Sequence, residues 1–120
     1  MPDMTLPADV MTPRAARAFV RAWLASWDLD HLRDRAELAT SELVTNAVEH
    51  AGGSVGVRIE VQDDEVRIAV TDPDSSLPLA RGASETDAGG RGLHIVQAIS
   101  DRWGSERLDG GKTMWCAFAR

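Results

Sequence analysis

The chain has 120 residues, 43% apolar and 27% charged, and 13 Lys and Arg against 19 Asp and Glu set its formal net charge at −6. This length suits one domain, 1–120, whose core buries about 65% of the unfolded surface without metal or disulfide staples, and the composition excludes a disordered chain. A pI of about 4.9 argues against direct nucleic-acid binding, which needs clustered cations.

The single Cys116 excludes an internal disulfide framework and fits a reducing, cytoplasmic setting. No apolar run approaches the roughly 18 residues of a membrane span. Met1-Pro2-Asp3-Met4 does not begin a basic and then apolar leader, so no signal peptide is expected.

Residues 1–12 form a lead-in with the makings of an edge strand. Thr12-Pro13 is a helix start, with Thr as cap and Pro in the first turn. Ala16, Phe19, Val20, Trp23, Leu24 and Trp27 then recur at helical spacing, and the helix closes near Trp27-Asp28. The apolar face carrying Trp23 and Trp27 suits the core, a homodimer or a partner. Asp30 is the expected cap of a second helix from His31 to Ala51, with an apolar stripe of Ala36, Ala39, Leu43, Ala47 and Val48. Gly52-Gly53 ends it. Glu42, Asn46 and His50, each four positions from the next, rise along one edge of that helix.

The period then changes to two. Val55, Val57, Ile59 and Val61 alternate with polar or small residues, as do Val66, Ile68 and Val70, across the turn Gln62-Asp63-Asp64-Glu65. Asp72 continues the inward parity, and a carboxylate there needs a partner. Residues 73–90, with two prolines, three serines and three glycines, read as a mobile loop of a functional length. A helix follows Gly89-Gly90-Arg91-Gly92, with Leu93, Ile95, Val96 and Ile99 as its apolar positions. Two strands close the chain around the turn Asp109-Gly110-Gly111. This order predicts an α+β fold, a two-layer α/β sandwich whose mainly antiparallel mixed sheet carries its helices on one face.

Three groups are candidates for chemistry. A glycine-rich helix start suits phosphate, with Arg91 as a charged clamp, or a flexible loop hinge. Glu42 and Asn46 suit proton transfer and Mg²⁺ ligation, or a solvated helix edge. Asp72 suits a site carboxylate with a partner, or a turn residue before Pro73. His50 and the four Trp suit packing, and Cys116 is expected to be inert. The dinucleotide pattern fails because Ile95 stands at its third glycine, and the P-loop pattern fails because Glu106 stands at its first.

The order of these groups resembles the ATPase family shared by gyrase, histidine kinases and the mismatch-repair ATPases, the Bergerat or GHKL fold. Glu42-Leu43-Val44-Thr45-Asn46-Ala47-Val48-Glu49-His50-Ala51 resembles its first motif, and Val70-Thr71-Asp72 the start of its second. Gly90-Arg91-Gly92-Leu93-His94-Ile95-Val96 resembles the third, and Gly111-Lys112-Thr113 the last adenine-pocket element. Within the family, the compact size and the histidine after the asparagine are most similar to the bacterial anti-sigma-factor serine/threonine kinases.

The resemblance implies that the cofactors are ATP and Mg²⁺. Glu42 would be the catalytic residue, activating the attacking hydroxyl or water, and Asn46 would coordinate Mg²⁺. Asp72 would accept from the adenine amino group, and Thr113 would support the adenine end near it. Gly90, Arg91, Gly92 and the start of the following helix at Leu93 would hold phosphates, and 73–90 would be the ATP lid. The implied partners are a sigma factor and an anti-sigma-factor antagonist phosphorylated on Ser or Thr. A homodimer is compatible, and neither direct nucleic acid nor membrane is expected. The family's second motif reads Asp-x-Gly-x-Gly, whereas Asp72-Pro73-Asp74-Ser75-Ser76 lacks both glycines and adds a negative charge. That departure keeps a second reading open: a non-catalytic interaction module on the same fold, with weak or structural nucleotide binding. A third, the ATP-binding half of a histidine kinase, needs a phospho-accepting His in a helical dimerisation segment, and residues 1–30 contain none.

Overall fold

A computed structural model describes residues 2–50, 53–73 and 88–120; the side chains of 50 and 88–92 are outside the description. The elements run β1 (Asp3–Pro7), α1 (Thr12–Ser26), a 3₁₀ turn (Asp30–Leu32), α2 (Arg33–His50), β2 (Ser54–Val61), β3 (Glu65–Asp72), α3 (Ala88–Ile99), β4 (Arg102–Leu108) and β5 (Gly111–Ala119). The strands form one sheet in the order β1-β2-β3-β5-β4, and every pairing is antiparallel. The expected two-layer α+β architecture is the one observed, with the lead-in paired as the β1 edge strand.

Sheet parity and helix stripes meet in one core. Val55, Val57, Ile59, Val66, Ile68 and Val70 pack with Met114, Cys116 and Phe118 from one face of the sheet. Ala16, Val20, Leu24, Ala36, Ala39, Leu43, Val44 and Ala47 cover them from α1 and α2, and Leu93 and Val96 from α3. Alternation along each strand puts this whole apolar set on one side.

The helix ends differ from the expected caps. Thr12 is the first residue of α1, and its hydroxyl donates to the Pro7 carbonyl, tying the helix start to β1. Asp9 shapes the entry, accepting from the Met11 amide at 2.7 Å. Asp30 opens the 3₁₀ turn, which tightens the chain before α2 begins at Arg33, so it stands one short turn ahead of the helix it was expected to cap. At the other end of α1, Asp28 takes φ 61°, and the Leu29 and Asp28 amides donate to the Leu24 and Ala25 carbonyls. This is a Schellman closure with aspartate in the left-handed position usually held by glycine.

Glu37 joins the two long helices, accepting from Arg21 of α1 and Arg33 of α2, with 2.9 Å contacts to each. Trp23 and Trp27 stack at a tilt with ring centroids 5.3 Å apart, and Trp23 is 37% exposed. The β4–β5 turn is Asp109-Gly110, with Gly110 at φ 78°. No helix among the described residues is long and apolar enough to cross a membrane.

Candidate functional site

Asp72 ends β3 on the inward side, at the position its parity with Val66, Ile68 and Val70 requires, and is 3% exposed. Directly across the strand pair, in register, stands Lys112 of β5. Its ammonium lies 3.3 Å from Asp72 Oδ2 and 3.5 Å from Oδ1, and Lys112 has no exposed surface. A buried ion pair of this kind holds together because each charge offsets the other's desolvation.

Gly111 makes the close approach possible. A β-carbon there would sit 2.2 Å from the Asp72 carbonyl oxygen, so the strands meet at this point only with hydrogen at 111. On the other side, Gly53 lies against Pro73, where a β-carbon would come within 3.2 Å of the ring. The start of β2 therefore runs beside the end of β3.

α2 carries Glu42 and Asn46 and packs on both β3 and α3. Glu42 is half-buried, while Asn46 is 4% exposed. Neither amide atom of Asn46, Oδ1 nor Nδ2, has a hydrogen-bond partner among the described residues. A buried amide without a partner is destabilising by itself. Its oxygen is the kind of hard donor that Mg²⁺ accepts when phosphate and water complete the shell. Among the described residues no three His, Cys, Asp or Glu gather to hold a metal by themselves.

α3 starts at Ala88, earlier than expected, because the glycine run is absorbed into the helix. Gly90 and Arg91 thus lie among the first four amides, which lack an intrahelical acceptor, and Gly92 follows them. Leu93 is buried in the core, so its side chain packs under the helix. Of the expected loop, 74–87 lie outside the described residues.

Thr113 departs from expectation. It faces the outer side of the sheet, where its hydroxyl and that of Thr71 are 2.9 Å apart. One residue of register places it opposite Thr71, and Lys112 opposite Asp72. Thr113 therefore does not stand beside the Asp72 carboxylate; Lys112 does. The outer face also holds a cavity of about 560 Å³ lined by Thr71, Thr113, Arg58 and Glu106, among others. Glu42, Asn46 and Asp72 take no part in it. Sequence reasoning passed over Lys112, although counting back by twos from Phe118, Cys116 and Met114 puts it on the buried side.

Residues 6–118 match the family model of the histidine kinase-like ATPase domain. The chain belongs to that family. Members close in sequence include an anti-sigma F factor of Pasteuria penetrans, 34% identical over 103 residues that span 72% of this chain and 68% of the relative. An uncharacterized protein of Streptomyces coelicolor is 31% identical over 81 residues, 63% of this chain and 77% of the relative. Among solved structures, the RsbU and RsbW domains of Rv1364c from Mycobacterium tuberculosis superpose on all of this chain with a TM-score of 0.70 and 26% identity. This histidine kinase-like domain spans 33% of that longer chain. The catalytic domain of the histidine kinase ThkA shares the fold, with a TM-score of 0.61 and 16% identity over 99% of this chain and 96% of its own. The protein is thus an ATPase domain of the histidine-kinase-like type, similar to anti-sigma factors, as the motif order implies.

Proposed function

We propose that the protein binds Mg-ATP where α2, the start of α3 and the Asp72 end of β3 converge, and that it is a cytoplasmic anti-sigma factor with serine/threonine kinase activity. The observation that carries the reading is the buried Asn46 amide, which has no hydrogen-bond partner among the described residues. Such a group is tolerated where a ligand completes its bonding. Asn46 would hold Mg²⁺ through Oδ1, and the ion would supply charge neutralisation for the phosphates. Amides of Gly90, Arg91 and Gly92 would cradle the phosphates at the helix start. Asp72 would accept from the adenine amino group. Glu42, one turn before Asn46, would orient and deprotonate the attacking hydroxyl, since phosphoryl transfer depends mainly on positioning and charge neutralisation. Thr113, on the far side of the sheet, would act on this site only through the strand it shares with Lys112.

The likeness to the anti-sigma F factor and to the RsbU and RsbW domains supports a sigma factor as the captured partner and an antagonist protein as the phosphorylated one. One feature favours a second reading, an interaction module with little turnover: Asp72-Pro73-Asp74-Ser75-Ser76 lacks the motif glycines. Two measurements decide between them. Calorimetric titration with Mg-ATP is expected to show binding by wild type and none by Asn46→Ala. Label transfer from γ-labelled ATP to an antagonist is expected from wild type and is lost in Glu42→Ala with partner binding retained. Nucleotide binding without label transfer by wild type selects the module, and absence of nucleotide binding by wild type rejects the site.

A further inference from the structure

Lys112 is among the largest fully buried side chains of the described residues, and it is a cation. The inward positions that follow it on β5 are Met114, Cys116 and Phe118, all apolar. Packing alone would be served by another apolar residue, and an ammonium without water is unfavourable unless paired. Its anionic partner among the described residues is Asp72. The two contacts, 3.3 Å and 3.5 Å, are long for a charge-assisted bond, which is usually about 2.7–2.9 Å. An ammonium has three donors and no acceptor, so one pairing of this looseness leaves donor capacity at the same place.

We infer that Lys112 is a base-reading residue: it donates to N1 of adenine while Asp72 accepts from the neighbouring 6-amino group. This rests on the reading of the Asp72 end of β3 as the base end of a nucleotide site. A carboxylate alone reads only a donor. A carboxylate with an ammonium beside it reads a donor and an acceptor side by side, which is the pattern along that edge of adenine. The register places the two charges opposite each other at the strand end, and Gly111 lets the strands close there. A pocket that hydrogen-bonds a ligand atom rejects the analogue lacking it, because the buried group is left unpaired.

The test uses the full chain and two triphosphates, ATP and 1-deaza-ATP, which has C–H in place of N1. Wild type is expected to bind Mg-ATP about tenfold to a hundredfold more tightly than the deaza analogue. Lys112→Met is expected to bind the two alike, with its affinity for inorganic triphosphate unchanged. Equal wild-type affinity for both nucleotides overturns the inference. So does tighter ATP binding by Lys112→Met, which would make Lys112 an occupant of the base site. Should the variant fail to fold, ¹⁵N spectra of N1-labelled ATP on wild type decide: an upfield shift of N1 on binding is expected, and an unshifted N1 overturns it. Failure of wild type to bind ATP at all removes the nucleotide site itself, a different result from binding without discrimination.

Discussion

The α-hydrogen of Gly111 faces the carbonyl of Asp72 where a β-carbon would come to 2.2 Å. That spacing is below any real carbon contact, and backbone rather than a flexible side chain stands in the way. Gly111→Ala must push β3 and β5 apart at the point where Asp72 meets Lys112. We expect a loss of about 2 kcal/mol or more, seen as a melting temperature lowered by about 10 °C. Gly56→Ala is the control, since its β-carbon would lie 3.9 Å from Thr71. Its stability should stay within about 0.5 kcal/mol of wild type or rise slightly. An unperturbed Gly111→Ala would show that the strands do not meet this closely.

Asn46→Ala separates a ligand-binding amide from a structural one. Truncating a buried amide that has no hydrogen-bond partner among the described residues loses no hydrogen bond there, so unfolding in urea should change by no more than about 1 kcal/mol. The heat of Mg-ATP binding should vanish in the same variant. A loss of several kcal/mol in stability would mean that Asn46 holds the fold.

Glu37 is 15% exposed, and its carboxyl is held below the usual range by the hydrogen bond from Arg21 and, further, by Arg33, against the opposing effect of burial. A lowered folded value means the contribution is present above the unfolded carboxyl value of about 4.3. It is lost as pH falls through the folded value. Glu37→Gln should lose about 1 kcal/mol at pH 7. The gap in urea midpoint between the two proteins should close in acid and shrink at high salt.

Burial pushes the Cys116 thiol up to about 12. The folded state therefore keeps the proton where the unfolded thiol, near 8.5, releases it. This contribution is full below the unfolded value and is lost as pH rises toward the folded one. Between pH 8 and 10, wild type should lose melting temperature more steeply than Cys116→Ala. A thiol reagent at neutral pH should label the native protein only as fast as it unfolds.

Asp28 closes α1 at φ 61° and places a negative charge at a helix C-terminus. Both features favour glycine there. Asp28→Gly should stabilise the protein by about 1 kcal/mol in thermal or urea unfolding. A loss would mean that the Asp28 side chain makes a contact outweighing its backbone strain.

Local periodicity and parity determined much of this protein from sequence alone. The 3.6-residue stripe of Ala16, Val20 and Leu24, and the alternation of Val66, Ile68 and Val70, each select one buried side whatever the neighbours are. The same alternation forced Asp72 inward, so a buried carboxylate at a strand end was readable before any fold was known. The motif order then carried the family. Local signals failed where two plausible partners competed. The Thr12 hydroxyl bonds to Pro7 because β1 returns beside the helix start, and the glycine run joins α3 although glycine favours loops.

The tertiary structure alone decided what faces Asp72. Sequence placed Lys112 and Thr113 side by side near the end of the chain, and parity with Met114, Cys116 and Phe118 marks Lys112 as inward, but it does not say which residue of another strand stands opposite. Register between β3 and β5 makes that choice, and a shift of one residue would exchange the two. The sheet selects Lys112 because Met114, Cys116 and Phe118 must all enter the core, and that shared requirement carries the lysine inward with them.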